Sequence, residues 1–441
     1  MNNLLDYNLT ELTGIVEGLA EPKFRAKQLY NAILNGKNFN DNTVLNKSLL
    51  EKLKENGYLM QAVKIHKTFK SKDKTIKFLY KLSDENLIEG VLMQHSYGKT
   101  LCISTQVGCK MNCSFCASGL KFIRNLTAGE ILGQIVAVNN FLGGSVSERE
   151  ITNLVLMGSG EPLDNFDNVV KFLKLVTSDD GFNFSVRNIT LSTCGIPSKI
   201  EKLADLGLSI NLAISLHAPN NEIRKQIMPV AKSFSIESVI EAANHYYTIT
   251  NRKIYIEYTL IDGVNSTPAH ARELAELLSE LNCRVNLISL NEVKERGLKG
   301  VTENKTNLFL RELLKWGVSA TIRRSLGDDV DGACGQLRNK ELSGEKSKFE
   351  VEVKEAKSDF AKVKKPENKQ SKRDLKPGKV TTGKDVKSKN TKFNKDAKFG
   401  KDNKFSKDGK FAKSNSKPYQ TKNTKQFGAK KSNKVGKGNY R

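Results

Sequence analysis

The strongest constraint on the fold of this chain is a rhythm. From about residue 95 onward, short β-rich apolar runs recur: "TNLVLMG", "RNITLST", "LSINLAISLH", "KIYIEYTLI", "RVNLISLN" and "VSATIRR". Between several of them lie helical stretches such as "TAGEILGQIVAVNNFL", "NVVKFLKLVTS" and "HARELAELLSEL". Strands that alternate with helices are joined by crossovers, and crossovers leave neighbouring strands parallel. The expected class is α/β. About six repeats are too few for a closed eight-unit barrel, so an open or partial (β/α)6 barrel is expected. In such barrels the functional groups gather where strands end and loops begin.

The flanks differ from this core. Residues 1 to about 60 read as helical, with "LTELTGIVEGL" and "PKFRAKQLYNAIL" carrying apolar positions three and four apart. Pro22 suits the opening turn of the second of these helices. Lys23, Arg25 and Lys27 lie near one another on it, as a solvated face or as part of a small nucleic-acid-binding module. Residues 74 to 94 look like two strands joined by a polar turn at Ser83–Asn86.

Charge separates the end of the chain from the rest. The formal net charge is +24, and residues 346–441 carry 31 basic and 10 acidic groups, so the preceding body is nearly neutral. After Gly344 there is one leucine and no isoleucine, tryptophan, cysteine or histidine, too little apolar surface for a packed core. The tail contains a six-residue repeat, "KFNKDAKFGKDNKFSKDGKFAK", with Phe393, Phe399, Phe405 and Phe411 in identical settings. A solvated low-complexity tail has this composition. Regular cations with interleaved rings also suit single-stranded RNA, through phosphate contacts and base stacking. No apolar run approaches the roughly 18–20 residues of a membrane span, and the N-terminus lacks a secretion signal. A cytoplasmic location is expected, where thiols stay reduced and clustered cysteines point to metal or catalysis.

The stretch "GCKMNCSFCAS" spaces Cys109, Cys113 and Cys116 as C-x3-C-x2-C. Structural zinc wants four donors, and the chain has no second CxxC or CxxH pair. A [4Fe–4S] cluster explains three better: three thiolates hold three irons, and the fourth iron stays open to a small molecule. The glycines of "MGSGEP", just after an apolar run, let the backbone approach a ligand closely.

These cysteines, with Phe115 just before the last, resemble the CxxxCxxC signature of radical S-adenosylmethionine (SAM) enzymes. The resemblance implies that the open iron chelates SAM and that one electron cleaves it to a 5′-deoxyadenosyl radical. It also makes "MGSGEP" similar to the motif that contacts the SAM amino group, through Gly160 and Glu161. By the same resemblance Ser192 in "LSTCG", Ser215, Leu216 and His217 in "ISLHA", and Asn291 in "SLNEV" line the SAM pocket. Cys194 and Cys283 read as small buried residues.

With "FRAKQLY", Cys102 in "TLCISTQVGC" and Cys334 in "DDVDGACGQL", residues 1 to about 340 resemble the RlmN/Cfr family of RNA adenine methyltransferases. That resemblance implies an N-terminal helical RNA-binding accessory domain (1–75), a β-hairpin extension (76–94), a radical SAM core with a catalytic C-terminal loop (95–340) and the Lys-rich tail (341–441). The implied activity is methylation of carbon 2 of adenosine, at adenosine 2503 of 23S rRNA and adenosine 37 of tRNA, with two SAM per turnover. Cys334 is implied as the S-methylcysteine intermediate, Cys102 as the cysteine that resolves it through a transient disulfide, and Glu89 as the proton acceptor. A flavodoxin- or ferredoxin-type electron donor and a monomeric protein complete the expectation. Two rivals stand beside it: methylation at carbon 8, and a non-catalytic RNA-binding protein with a structural metal.

Overall fold

The described residues fold around an eleven-stranded sheet. Seven of its strands run in succession and parallel: Gly98–Cys102, Asn153–Leu156, Ile189–Thr193, Asn211–Ser215, Ile254–Leu260, Cys283–Ser289 and Ala320–Ile322. Helices occupy all six crossovers, including Ala128–Phe141, Phe166–Thr177, Pro197–Asp205, Ile236–Thr250, Pro268–Leu277 and Glu303–Lys315. This is the partial barrel of six βα units, with Ala320–Ile322 as a short last strand. Strands sandwiched between helices and the barrel interior need apolar residues on both faces, which is why Ile254–Leu260 reads as a nearly continuous run. All six sequence runs become parallel strands. The first parallel strand, Gly98–Cys102, lacks such a run because glycine, lysine and threonine occupy most of it.

The computed structural model describes residues 2–41, 44–293 and 295–323, together with 341, 350, 351 and 353. The chain divides into units Met1–Lys369 and Gln370–Arg441, and all described residues belong to the first. Cys334 and the repeat tail lie outside the described residues.

The N-terminal segment forms helices Leu9–Gly18, Phe24–Leu34 and Lys47–Glu55. Asn8 and Glu11 close the first with a capping box, each side chain bonding the other's backbone amide. Pro22 precedes the N-cap of the second helix, Lys23, instead of entering its first turn. Leu12, Val16, Leu29 and Ile33 pack into the same apolar cluster as the barrel strands. Gly129 is the close approach that allows this, since a Cβ there would meet Asn3 at 2.5 Å and the backbone of Leu5 at 2.8 Å.

The two expected strands are Ile76–Leu82 and Leu87–His95, antiparallel to each other and followed by Gly98–Cys102. With Val63–Lys70 they continue the barrel sheet as an antiparallel wing. Glu350–Val351 pairs with Val63–Lys70 at the far edge, opposite the edge formed by Ala320–Ile322.

Candidate active site

The three clustered cysteines sit on a loop held between two short antiparallel strands, Gln106–Gly108 and Phe122–Asn125. Gly108 permits this closure. Its φ of +82° suits glycine, and a Cβ there would fall 1.6 Å from the carbonyl oxygen of Lys121. Asn112 adopts φ +49° within the loop and accepts a hydrogen bond from Arg296 at 2.6 Å. The Ser114 amide donates to the Ile227 carbonyl at 2.9 Å, tying the loop to the helix Asn221–Ile227.

Cys109, Cys113 and Cys116 line one pocket of about 210 Å³, with Gly160, Glu161, Ser192, Ser215 and His217 on its other walls. Burial pushes the Cys109 thiol up to about 12 and also holds the Cys113 thiol well above its ordinary value. Such thiols become thiolates readily only against a bound cation. Among the described residues no three His, Cys, Asp or Glu side chains converge on one point as a lone metal ion requires. Three thiols facing one pocket are the donor set that a [4Fe–4S] cluster with one open iron would use.

The opposite wall comes from strand ends. Gly160 has φ +115°, and a Cβ there would lie 2.7 Å from the side chain of Gln106. Glu161 is buried, and its carboxylate accepts from the Leu163 amide at 2.9 Å, the Thr193 hydroxyl at 2.7 Å and the Cys194 amide at 2.7 Å. Burial raises its pKa despite these donors. It therefore ties together the loops that follow two neighbouring strands while lining the pocket.

The Ser192 and Ser215 hydroxyls lie 3.3 Å apart on adjacent strands. His217 holds a left-handed φ of +58°, and its Nδ1 accepts the Thr259 amide at 3.0 Å. The neutral ring therefore carries its proton on Nε2. Burial drives its pKa down to about 3, helped by the charge of Arg224. Phe115, from the cysteine loop, packs edge-on against this ring at 4.6 Å. Leu216 is different: its side chain belongs to the main core.

Beside this pocket a larger cavity of about 830 Å³ runs along the barrel interior. The two share Met157, Glu257, Ile288 and Arg323 as common walls. Cys102 and Asn291 line the larger one, beside the three-cysteine pocket. Cys102 stands in register with Val91, and Val91 with Lys77, across the wing. Glu89 is on the same strand face as the cavity-lining Val91 and Met93. It is only 3% exposed, and its Oε2 lies 3.2 Å from Lys77 Nζ, itself fully buried. Cys194 is buried against the three-cysteine pocket, whereas Cys283 is half-buried in a strand outside it.

Three polar groups were missed by sequence reasoning. Lys77 and Glu257 each interrupt an apolar strand, a visible signal; Arg224 stands in "NEIRKQI", which reads as an ordinary solvated helix. Glu257 belongs to a polar ladder: the Thr321 hydroxyl donates to Asn286 at 3.2 Å, and Asn286 to Glu257 Oε1 at 2.9 Å.

The sequence is matched by the Radical SAM superfamily over residues 103–278 and by the ribosomal RNA large subunit methyltransferase N-terminal domain over residues 2–59. A probable dual-specificity RNA methyltransferase RlmN of Clostridium novyi is 46% identical over 341 residues, covering 77% of this chain and 98% of the relative. Its namesake in Clostridium botulinum strain Alaska E43 is 47% identical over 353 residues, covering 79% and 100%. A crystal structure of a radical SAM methyltransferase from Sphaerobacter thermophilus superposes with a TM-score of 0.72 at 36% identity, covering 76% of this chain and 99% of that one.

Proposed function

From the premise that this chain belongs to the RlmN family of radical SAM RNA methyltransferases, we propose that it methylates carbon 2 of adenosine in RNA. The targets in this reading are adenosine 2503 of 23S rRNA and adenosine 37 of tRNA, the two specificities implied by the family resemblance. The observation that carries it is the placement of Cys102 in a cavity that shares walls with the three-cysteine pocket. A resolving thiol must lie beside the radical source, and the walls shared by the two cavities support that role for Cys102.

Cys109, Cys113 and Cys116 would hold a [4Fe–4S] cluster. When bound with SAM, this cluster supplies the one-electron chemistry that generates a hydrogen-abstracting radical. Gly160, Glu161, Ser192, Ser215, Leu216 and His217 would form the SAM site. His217 contributes there as a neutral Nε2–H donor, and Asn291 would reach SAM from the adjoining cavity.

The remaining work falls to the chain's own thiols and carboxylate. Cys334, outside the described residues, takes a methyl from a first SAM by thiolate displacement. Once its S-methyl carbon has lost hydrogen and bonded to carbon 2, Glu89 would take the carbon-2 proton and the odd electron of the adduct would return to the cluster oxidised in the SAM cleavage. Cys102 thiolate then attacks the Cys334 sulfur. A Cys102–Cys334 disulfide forms, the carbon–sulfur bond breaks, and the freed carbon takes up a proton to become methyl. A reductant must reopen the disulfide, and a flavodoxin or ferredoxin would supply the cluster's electron.

In this reading residues 1–75 form an RNA-binding accessory domain and 76–94 a β-hairpin extension. Residues 95–340 form the catalytic core, and the 341–441 tail adds RNA affinity. The protein acts as a cytoplasmic monomer. Among the described residues no helix is long and apolar enough to cross a membrane.

Nucleoside mass spectrometry of RNA modified by the reconstituted protein should find 2-methyladenosine; 8-methyladenosine would redirect the reading to the other carbon. Cys102→Ala should accumulate a covalent protein–RNA species, and normal turnover by that variant would remove the disulfide step.

A further inference from the structure

Arg224, on the helix Asn221–Ile227, is completely inaccessible to solvent. Its guanidinium donates to three carbonyls: Cys194 at 2.5 Å, Leu216 at 3.4 Å and Phe234 at 3.4 Å. Among the described residues it forms no ion pair with a carboxylate. The nearby buried carboxylate of Glu161 binds the amide of Cys194, while Arg224 binds the carbonyl of the same residue. A buried cation satisfied only by neutral carbonyls is costly unless an anion compensates it.

The helix that carries Arg224 points to where that anion belongs. Its last residue, Ile227, accepts the amide of Ser114 in the cysteine loop at 2.9 Å. Ile227 and Met228 pack in one small cluster with Cys113 and Cys194, and Met228 lines the pocket faced by all three cysteines. Arg224 thus stands behind the wall of the thiol pocket, joined to it through Ile227, Met228 and the Cys194 carbonyl.

We propose that Arg224 is a positioning residue whose buried charge balances the thiolate-bound cluster at Cys109, Cys113 and Cys116 and favours its reduced form. This rests on the reading that these cysteines hold a [4Fe–4S] cluster. Three thiolates around a 2+ core leave a net charge of about −1, and reduction by one electron makes it about −2. A fixed cation in a medium of low dielectric stabilises the second state more than the first. The three hydrogen bonds keep the guanidinium in place while the electron arrives from an external donor.

The test uses full-length protein reconstituted anaerobically with iron and sulfide. Iron per chain, visible absorbance and the midpoint potential from an EPR-monitored redox titration are measured for wild type, Arg224→Lys and Arg224→Gln. Lysine keeps the charge and loses the fork; glutamine keeps a donor and loses the charge. The expected result is near-normal iron content and potential for Lys, and a lower potential or reduced iron content for Gln. Circular dichroism of the apo-proteins verifies folding, and Arg224→Met takes the place of Gln should Gln fail to fold. Wild-type iron and potential in the uncharged variant would overturn the proposal, as would a Lys variant shifted as far as Gln. Wild-type protein that develops no iron–sulfur absorbance would instead overturn the cluster assignment on which the proposal stands.

Discussion

At His217 the imidazole is enclosed, its Nδ1 accepts a backbone amide, and its pKa falls to about 3. The unfolded chain returns it to its ordinary value near 6.5. Between these values the unfolded state binds more protons, so stability rises with pH in that window and is lost as pH falls. Replacing His217 by Asn, which tolerates positive φ and keeps an acceptor, should flatten the dependence. Lowering the pH from about 7.5 to about 5.5 should cost wild type about 1.4 kcal/mol more than His217→Asn. Urea titrations of the apo-proteins measure this; identical slopes in the two would show that His217 titrates normally. The same residue explains why pocket chemistry near neutral pH should carry no histidine titration from this position.

The cysteine loop depends on its hairpin as an element, because the three cysteines have little regular structure of their own. Its tightest point is Gly108, where any side chain meets the Lys121 carbonyl. Gly108→Ala should therefore splay the strands Gln106–Gly108 and Phe122–Asn125. About 1–3 kcal/mol of strain is expected, together with a clear loss of iron uptake. Thermal melting and iron per chain after reconstitution check the two parts separately, and a variant with full iron content would show that the loop does not need this closure. The wing strands pose a different question of packing. Lys77 and Glu89 are buried together on the strands Ile76–Leu82 and Leu87–His95, so either one replaced alone leaves a buried charge behind.

For the whole molecule, the sheet places its cavities where six βα units leave an interior, and the charge distribution places nearly all of the excess positive charge after residue 345. Removing residues 346–441 deletes a net charge of +21. If those cations contact phosphates, the truncated protein should bind RNA more weakly and with a shallower salt dependence. Filter binding between about 0.05 and 0.3 M salt reads that slope. Methylation at saturating RNA should persist, since the pocket residues all precede the deletion. An unchanged slope would assign the tail to some role other than RNA affinity.

Periodicity made six parallel strands legible, because a strand buried on both faces must be apolar along its length. Spacing made the cysteine trio legible, because side chains three and four residues apart on one short loop can face a common pocket. The strand Gly98–Cys102 escaped that reading: its polar residues face the cavity or follow a tight turn, and only pairing with Leu87–His95 and Asn153–Leu156 makes it a strand. Arg224 was equally hidden, since local sequence cannot tell a solvated arginine from one covered by distant loops. Glu89 and Lys77 became a pair only through strand register. Local chemistry and repeat length are written into consecutive residues, whereas burial and charge pairing arise between residues far apart in the chain, so those properties were decided only when the barrel closed around them.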